Sequence, residues 1–185
     1  MIINVEEKYQ KEAVPALMKK WHLKNKMAVP RVKYVVVNMG IAADRGNKEA
    51  IEEAKKVLAQ ITGQWPQLRT AKKSIASFSL RAGQPVGLKV TLRKKRAADF
   101  LTKLFNIVLP RVKDFRGLSR RGFDGHGNYT IGFKENTVFP EVDYDKIDRP
   151  RGLEVTIVTS ADDDEKGEAL LSLLGAPFKK EEDKK

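Results

Sequence analysis

The chain has 185 residues, 41% of them hydrophobic, with no cysteine, two histidines and a formal charge of +12. That length supports one domain with a real core, and the missing cysteines exclude disulfides, iron–sulfur clusters, thiolate metal sites and thiol nucleophiles. No apolar run reaches the roughly twenty residues of a bilayer span, and the N-terminus lacks a signal-peptide pattern, so the expectation is a cytoplasmic protein with no membrane partner.

Val14, Leu17, Met18 and Trp21 recur at helical spacing, which predicts a helix over Val5–Trp21, kinked or restarted at Pro15. The valine-rich run Arg31–Met39 reads as an interior strand, apolar on both faces for most of its length. After the loop Gly40–Gly46, Asn47 is placed to cap a helix to about Ile61. Its stripe is Ala50, Ile51, Ala54, Val57, Leu58 and Ile61, and Gly63 closes it. A short strand is expected near Gln67–Ala71, then a long projecting loop over Lys72–Gly83. Val86, Leu88, Val90 and Leu92 alternate with Gly87, Lys89, Thr91 and Arg93, which predicts a strand with one core face and one polar, basic face.

Arg96–Leu109 has a strong helical period and Pro110 is expected to stop it. Arg111–Asn128 shows no period and reads as a second long basic loop; Tyr129–Lys134 alternates as a strand. Phe139–Arg151 is an acidic connector, with Glu141, Asp143 and Asp145 solvated, and Leu153–Thr159 is the last strand. Asp162–Glu165 is read as a capping box for a helix through Leu174, followed by a charged tail over residues 179–185. The fold class expected is α+β: a single domain over residues 1–178, with an antiparallel or mixed sheet, helices on one face and long basic loops.

Charge is distributed unevenly. Ala54–Ala98 holds eleven Lys or Arg and no Asp or Glu, and between Pro66 and Glu135 sixteen bases stand against four acids. The rest of the chain is balanced. A surface of this kind attracts a polyanion, and its place on strands and loops, interleaved with Trp65 and Phe78, favours a nucleic acid over a membrane surface. Asn38 and Thr91 on strands either hydrogen-bond locally at strand ends or, with Gln64 past a helix end, make a neutral polar set suited to RNA backbone and 2′-hydroxyls.

No catalytic constellation emerges. Gly125-His-Gly127 precedes a strand where a dinucleotide fingerprint needs a helix, and nothing orders His126 or His22 into a triad. Asp162–Asp164 is explained as a helix cap, so no metal or cofactor site is expected, and the chain is read as non-enzymatic.

Several runs carry a resemblance over nearly the whole chain. They are Val35-Val-Val-Asn-Met-Gly40, Ile61-Thr-Gly-Gln64, Thr70–Ile75, Arg81–Arg93, Leu109–Leu118, Phe123–Tyr129, Phe139-Pro-Glu141 and Leu173–Phe178. In these the chain resembles the L-five family of bacterial large-subunit ribosomal proteins. The resemblance implies binding to 5S rRNA in the central protuberance, contact with neighbouring proteins and large-subunit rRNA there, a bridge to the small-subunit head protein S-thirteen, and a loop near P-site tRNA. It implies no homo-oligomer. Carried over by position, Asn38, Gln64, Phe78 and Thr91 form the 5S rRNA side, to which Lys89 and Arg93 on the basic face of the Val86–Arg93 strand are added. Lys72, Lys73, Ser74, Arg81 and Gln84 form the tRNA-side loop, and Arg111, Lys113, Arg116, Arg120 and Arg121 the bridge side. His126 and Ser79 stand where family members often have Arg and Lys. The competing readings are an RNA-modifying enzyme and a general nucleic-acid-binding protein on the same basic face.

Overall fold

The computed structural model describes residues 4–44, 46–143 and 149–179. Five strands, β1 (Val32–Gly40), β2 (Gln67–Thr70), β3 (Pro85–Arg93), β4 (Tyr129–Phe133) and β5 (Leu153–Thr159), form one antiparallel sheet in the order β2-β3-β1-β5-β4. The strand with valines on both faces is thus the central one, as a double-sided apolar run requires. No helix among the described residues is long and apolar enough to cross a membrane. The chain gathers into two compact units, one of residues 4–35, 93–131 and 156–179, the other of 36–92 and 132–155.

The first unit holds three helices. α1 comprises Val5–Lys8, a π-helical turn Tyr9–Ala13 and Val14–Lys20; α2, in the second unit, is Lys48–Thr62. α3 comprises Lys95–Lys103, a π-helical turn Leu104–Val108 and Leu109–Arg111, and α4 is Asp164–Leu174. Both π turns have the same cause. Pro15 and Pro110 lack an N–H and crowd the carbonyl four residues back, so the preceding turn widens, and Val14 and Leu109 donate to carbonyls five residues behind. Pro110 therefore does not stop α3, contrary to the expectation from sequence; the helix absorbs it and ends at Arg111. The cap of α4 is also corrected. Asp163, not Asp162, is the N-cap, its carboxylate accepting from the Lys166 amide at 2.8 Å, and a lysine in the third position leaves no reciprocal acid for a capping box.

In the first unit Tyr129 packs against Phe123 and Phe178 at centroid distances of 4.6 and 5.3 Å, and its hydroxyl donates to the Ser119 carbonyl at 2.7 Å. Burial, with a smaller push from the Glu168 charge, raises the Tyr129 phenol to about 12. Asp164 reaches back from α4 to accept from the Gly125 and Gly127 amides at 3.2 and 2.9 Å. Gly167 lies so close to that turn that a Cβ on it would sit 2.7 Å from the Gly127 carbonyl oxygen, which only glycine permits.

In the second unit the buried stripe of α2 is the one its sequence period marks, joined by Thr62. Asn47 caps it by accepting from Glu49 and Ala50. The turn Ala42–Asp44, read from sequence as plain loop, carries a buried acid: Asp44 is bonded by Arg149 and, at 3.1 Å, by Arg151, itself only 5% exposed. Arg151 also donates from its amide to Asn136, so this ion cluster ties the start of β5 to the segment after β4.

Candidate nucleic-acid interface

Along β3 burial alternates: Leu88, Val90 and Leu92 are in the core, Lys89 and Thr91 are half-buried on the other side, and Arg93 is exposed. On β1, Val37 and Met39 are buried and Asn38, between them, is half-buried on the opposite face. β2 pairs antiparallel with β3, Gln67 opposite Lys89 and Arg69 opposite Gly87, so these two exposed side chains extend the same polar face to the sheet edge. The Gln64 amide donates to the Thr91 carbonyl at 3.4 Å. The second unit thus places Asn38, Lys89 and Thr91 on one sheet, with the Gln64 side chain tied to it at Thr91. Arg93, the first residue of its segment in the other unit, lies over the Tyr34 ring with its guanidinium 5.5 Å from the centroid.

The face is not uniformly basic. Asn38 lines a shallow depression with Gly40, Gly152, Leu153 and the exposed Glu154. A carboxylate there disfavours phosphate and leaves Asn38 suited to base edges or hydroxyls, while Lys89 and Arg69 supply the cationic part. Glu154 was not legible as a site residue, because strand alternation gives its face but not the strand beside it.

Lys72–Gln84 is a short self-laced hairpin. Ala71 and Gly83 close its base, with the Ala71 amide on the Gln84 carbonyl at 2.9 Å and the Gly83 amide on the Ala71 carbonyl at 2.9 Å. Ile75 and Leu80 exchange amide hydrogen bonds at 2.8 and 3.1 Å beneath a 3₁₀ turn, Ala76–Phe78. Ser74 Oγ accepts from the Ala82 amide at 3.0 Å and Gln84 Oε1 from the Arg81 amide at 2.9 Å. Two of the five residues assigned to the tRNA-side loop therefore brace it from within, whereas Lys72, Lys73 and Arg81 are exposed. Phe78 stands in the turn at the hairpin tip, 68% exposed, and not on a strand with Asn38, Lys89 and Thr91.

On the first unit Arg111, Lys113, Arg116 and Arg121 are exposed. Arg120 is engaged, its Nε 2.8 Å from a Glu168 carboxylate oxygen on α4. The segment carrying them is held at Leu118, whose amide donates to the Pro177 carbonyl at 2.7 Å. A basic stretch without period thus has fixed backbone because the chain's C-terminal end pairs with it. Asp124 accepts from the His126 and Asn128 amides and from the Asn128 side chain, which, with that side-chain bond foremost, holds its carboxyl below the usual carboxylate range.

Residues 25–81 match the family profile described as ribosomal protein L5, and residues 85–178 match the profile for the C-terminus of the same ribosomal family. The chain belongs to the ribosomal protein L5 family. It is 57% identical to the large ribosomal subunit protein uL5 of Dictyoglomus turgidum over 95% of this chain and 98% of the relative. With the protein of the same name from Chloroflexus aurantiacus it shares 56% identity over 97% and 99% of the two chains, and with that of Caldanaerobacter subterraneus 53% over 96% and 99%. Membership of the L5 family makes the chain a structural, non-enzymatic ribosomal constituent. The seam between the two family profiles falls at the foot of the hairpin, between Arg81 and Pro85.

Proposed function

We propose that this chain is a constituent of the large ribosomal subunit that holds 5S rRNA on the open sheet face of its second unit and reaches P-site tRNA with the hairpin. The observation that carries this reading is the polar face of β3, where Lys89 and Thr91 lie beside the Gln64 amide, with Gln67 and Arg69 continuing it and no acid between Ala54 and Ala98. The name of the relatives, large ribosomal subunit protein, supports the subunit. On the first unit, Arg111, Lys113, Arg116 and Arg121 are the proposed side for protein S-thirteen of the small-subunit head, with Arg120 positioned by Glu168. Other rRNA and proteins of the central protuberance complete the surroundings, and residues 1–178 act as one domain.

The test is competition binding to transcribed 5S rRNA at several salt concentrations. The expected result is that 5S rRNA outcompetes duplex DNA at physiological salt, because backbone attraction alone does not discriminate between them. Equal competition by duplex DNA would reduce the protein to a general nucleic-acid binder.

A further inference from the structure

Trp65 is 59% exposed, an unusual position for the largest apolar side chain. Its backbone is fixed on both sides. Upstream, Gly63 closes α2 with a left-handed φ of 66° and its amide on the Ala59 carbonyl at 2.8 Å, and the Gln64 side chain is on the Thr91 carbonyl at 3.4 Å. Downstream, Pro66 is buried and Gln67 is paired with Lys89. A residue preceding proline is confined to extended backbone, so little freedom remains. Trp65 lies just ahead of the edge strand β2, whose pairing with β3 begins at Gln67 opposite Lys89. It therefore stands at the entrance to β2, where Gln67 and Arg69 are exposed on the face they share with Lys89.

We infer that Trp65 is a stacking platform for an unpaired RNA base at the edge of this sheet. The inference rests on the 5S rRNA reading above and adds to it a residue and a ligand class: a base in a loop, bulge or single strand. An indole offers a π-face to any base, and rigid backbone means that little order is lost on stacking. The surroundings favour RNA over a protein groove, since the acid-free stretch supplies Arg69 and Lys89 nearby for phosphates and Gln67 for polar edges. A protein-binding edge strand would instead carry its apolar residues in a row. Here the one large apolar residue within β2, Leu68, lies on the face opposite Gln67 and Arg69, paired with Leu88.

The chain has two tryptophans, so Trp21→Phe leaves Trp65 as the single indole reporter. With this full-length variant, transcribed 5S rRNA is expected to quench the emission in parallel with binding. In the otherwise unchanged chain, Trp65→Ala is expected to weaken 5S binding about five- to hundredfold and Trp65→Phe to restore most of it. The slope of affinity against salt should stay the same, because a stack neutralises no phosphate. Full 5S affinity in Trp65→Ala, or saturated binding with unquenched Trp65 emission, would overturn the inference. So would a change in sedimentation of Trp65→Ala with RNA affinity intact, which would make the indole a protein contact. The two readings fail separately. If duplex DNA competes with 5S rRNA as an equal, 5S recognition fails, whereas quenching by oligouridine, together with weaker oligouridine binding in Trp65→Ala, would still establish the stack.

Discussion

Asp44 and Tyr129 are two residues on whose chemistry burial bears directly. Burial pushes the Asp44 carboxyl up, but hydrogen bonds and charge from Arg149 and Arg151 outweigh it and hold the group below its ordinary value. A carboxyl depressed in the folded state contributes stability in full above its unfolded value of about 3.9 and loses it as pH falls through the folded value. Asp44→Ala should therefore cost about 3–5 kcal/mol at neutral pH, since it strands the buried Arg151 cation, and should flatten the acid limb of a stability–pH curve from denaturant melts. Tyr129 runs the other way. Its phenol, raised to about 12, contributes fully below about pH 10, the unfolded value, and its contribution disappears as pH climbs toward 12. Phenolate absorbance should show a step near pH 12, and Tyr129→Phe should remove it at a cost of about 1 kcal/mol for the hydroxyl's bond to Ser119. Tyr129 lies on the inward parity of an alternating run, so its burial was legible; the Asp44 cluster was not, because its members are separated by some hundred residues of chain.

At the level of elements, the hairpin and the two proline-bearing helices show local sequence and structure diverging for opposite reasons. Ser, Lys, Arg and Gly over Lys72–Gly83 look like a structureless loop, yet much of its backbone is paired, because Ile75 and Leu80 bond each other and Ser74 and Gln84 accept amides that an irregular chain would leave to water. Gln84→Ala should raise hydrogen exchange at the Arg81 amide by roughly fivefold, the equivalent of about 1 kcal/mol, with the thermal midpoint of the whole protein nearly unchanged. If that exchange rate did not move, the brace would be incidental. In α1 and α3 proline reads as a stop or kink. A π turn two residues ahead absorbs it instead, and the buried Leu104, Phe105 and Val108 keep the apolar face of α3 continuous past the break.

For the whole molecule the surface divides by kind of contact as well as by place. Asn38 and Thr91 are neutral groups on strands, one beside Glu154, whereas Lys72 and Lys73 are exposed charges on a hairpin. Asn38→Ala or Thr91→Ala is expected to weaken 5S rRNA binding by about 1 kcal/mol or more without altering its salt slope. Lys72→Ala with Lys73→Ala should leave 5S affinity nearly intact while weakening tRNA binding and shallowing its salt slope by roughly 1.5. A large loss of 5S affinity in the lysine pair, measured by filter binding, would merge the two surfaces into one. Taken along the chain alone, the acid-free stretch reads first as a single basic patch. The fold places part of it on the sheet and part on the hairpin, with Phe78 in the 3₁₀ turn of the hairpin.

The sequence by itself determined what depends on near neighbours along the chain. The helix stripe of α2, the alternation of β3 and β5, the double-sided burial of β1 and the concentration of charge follow from periodicity and composition, which each residue shares with those two to four positions away. Only the tertiary structure decided what long-range pairing assembles: the order β2-β3-β1-β5-β4, the Asp44–Arg151 cluster, the engagement of Arg120 by Glu168, and the exposure of Trp65 between α2 and β2. The reason is physical. A period reports which face of an element is apolar, whereas a contact between distant residues is specified by the packing of every segment between them.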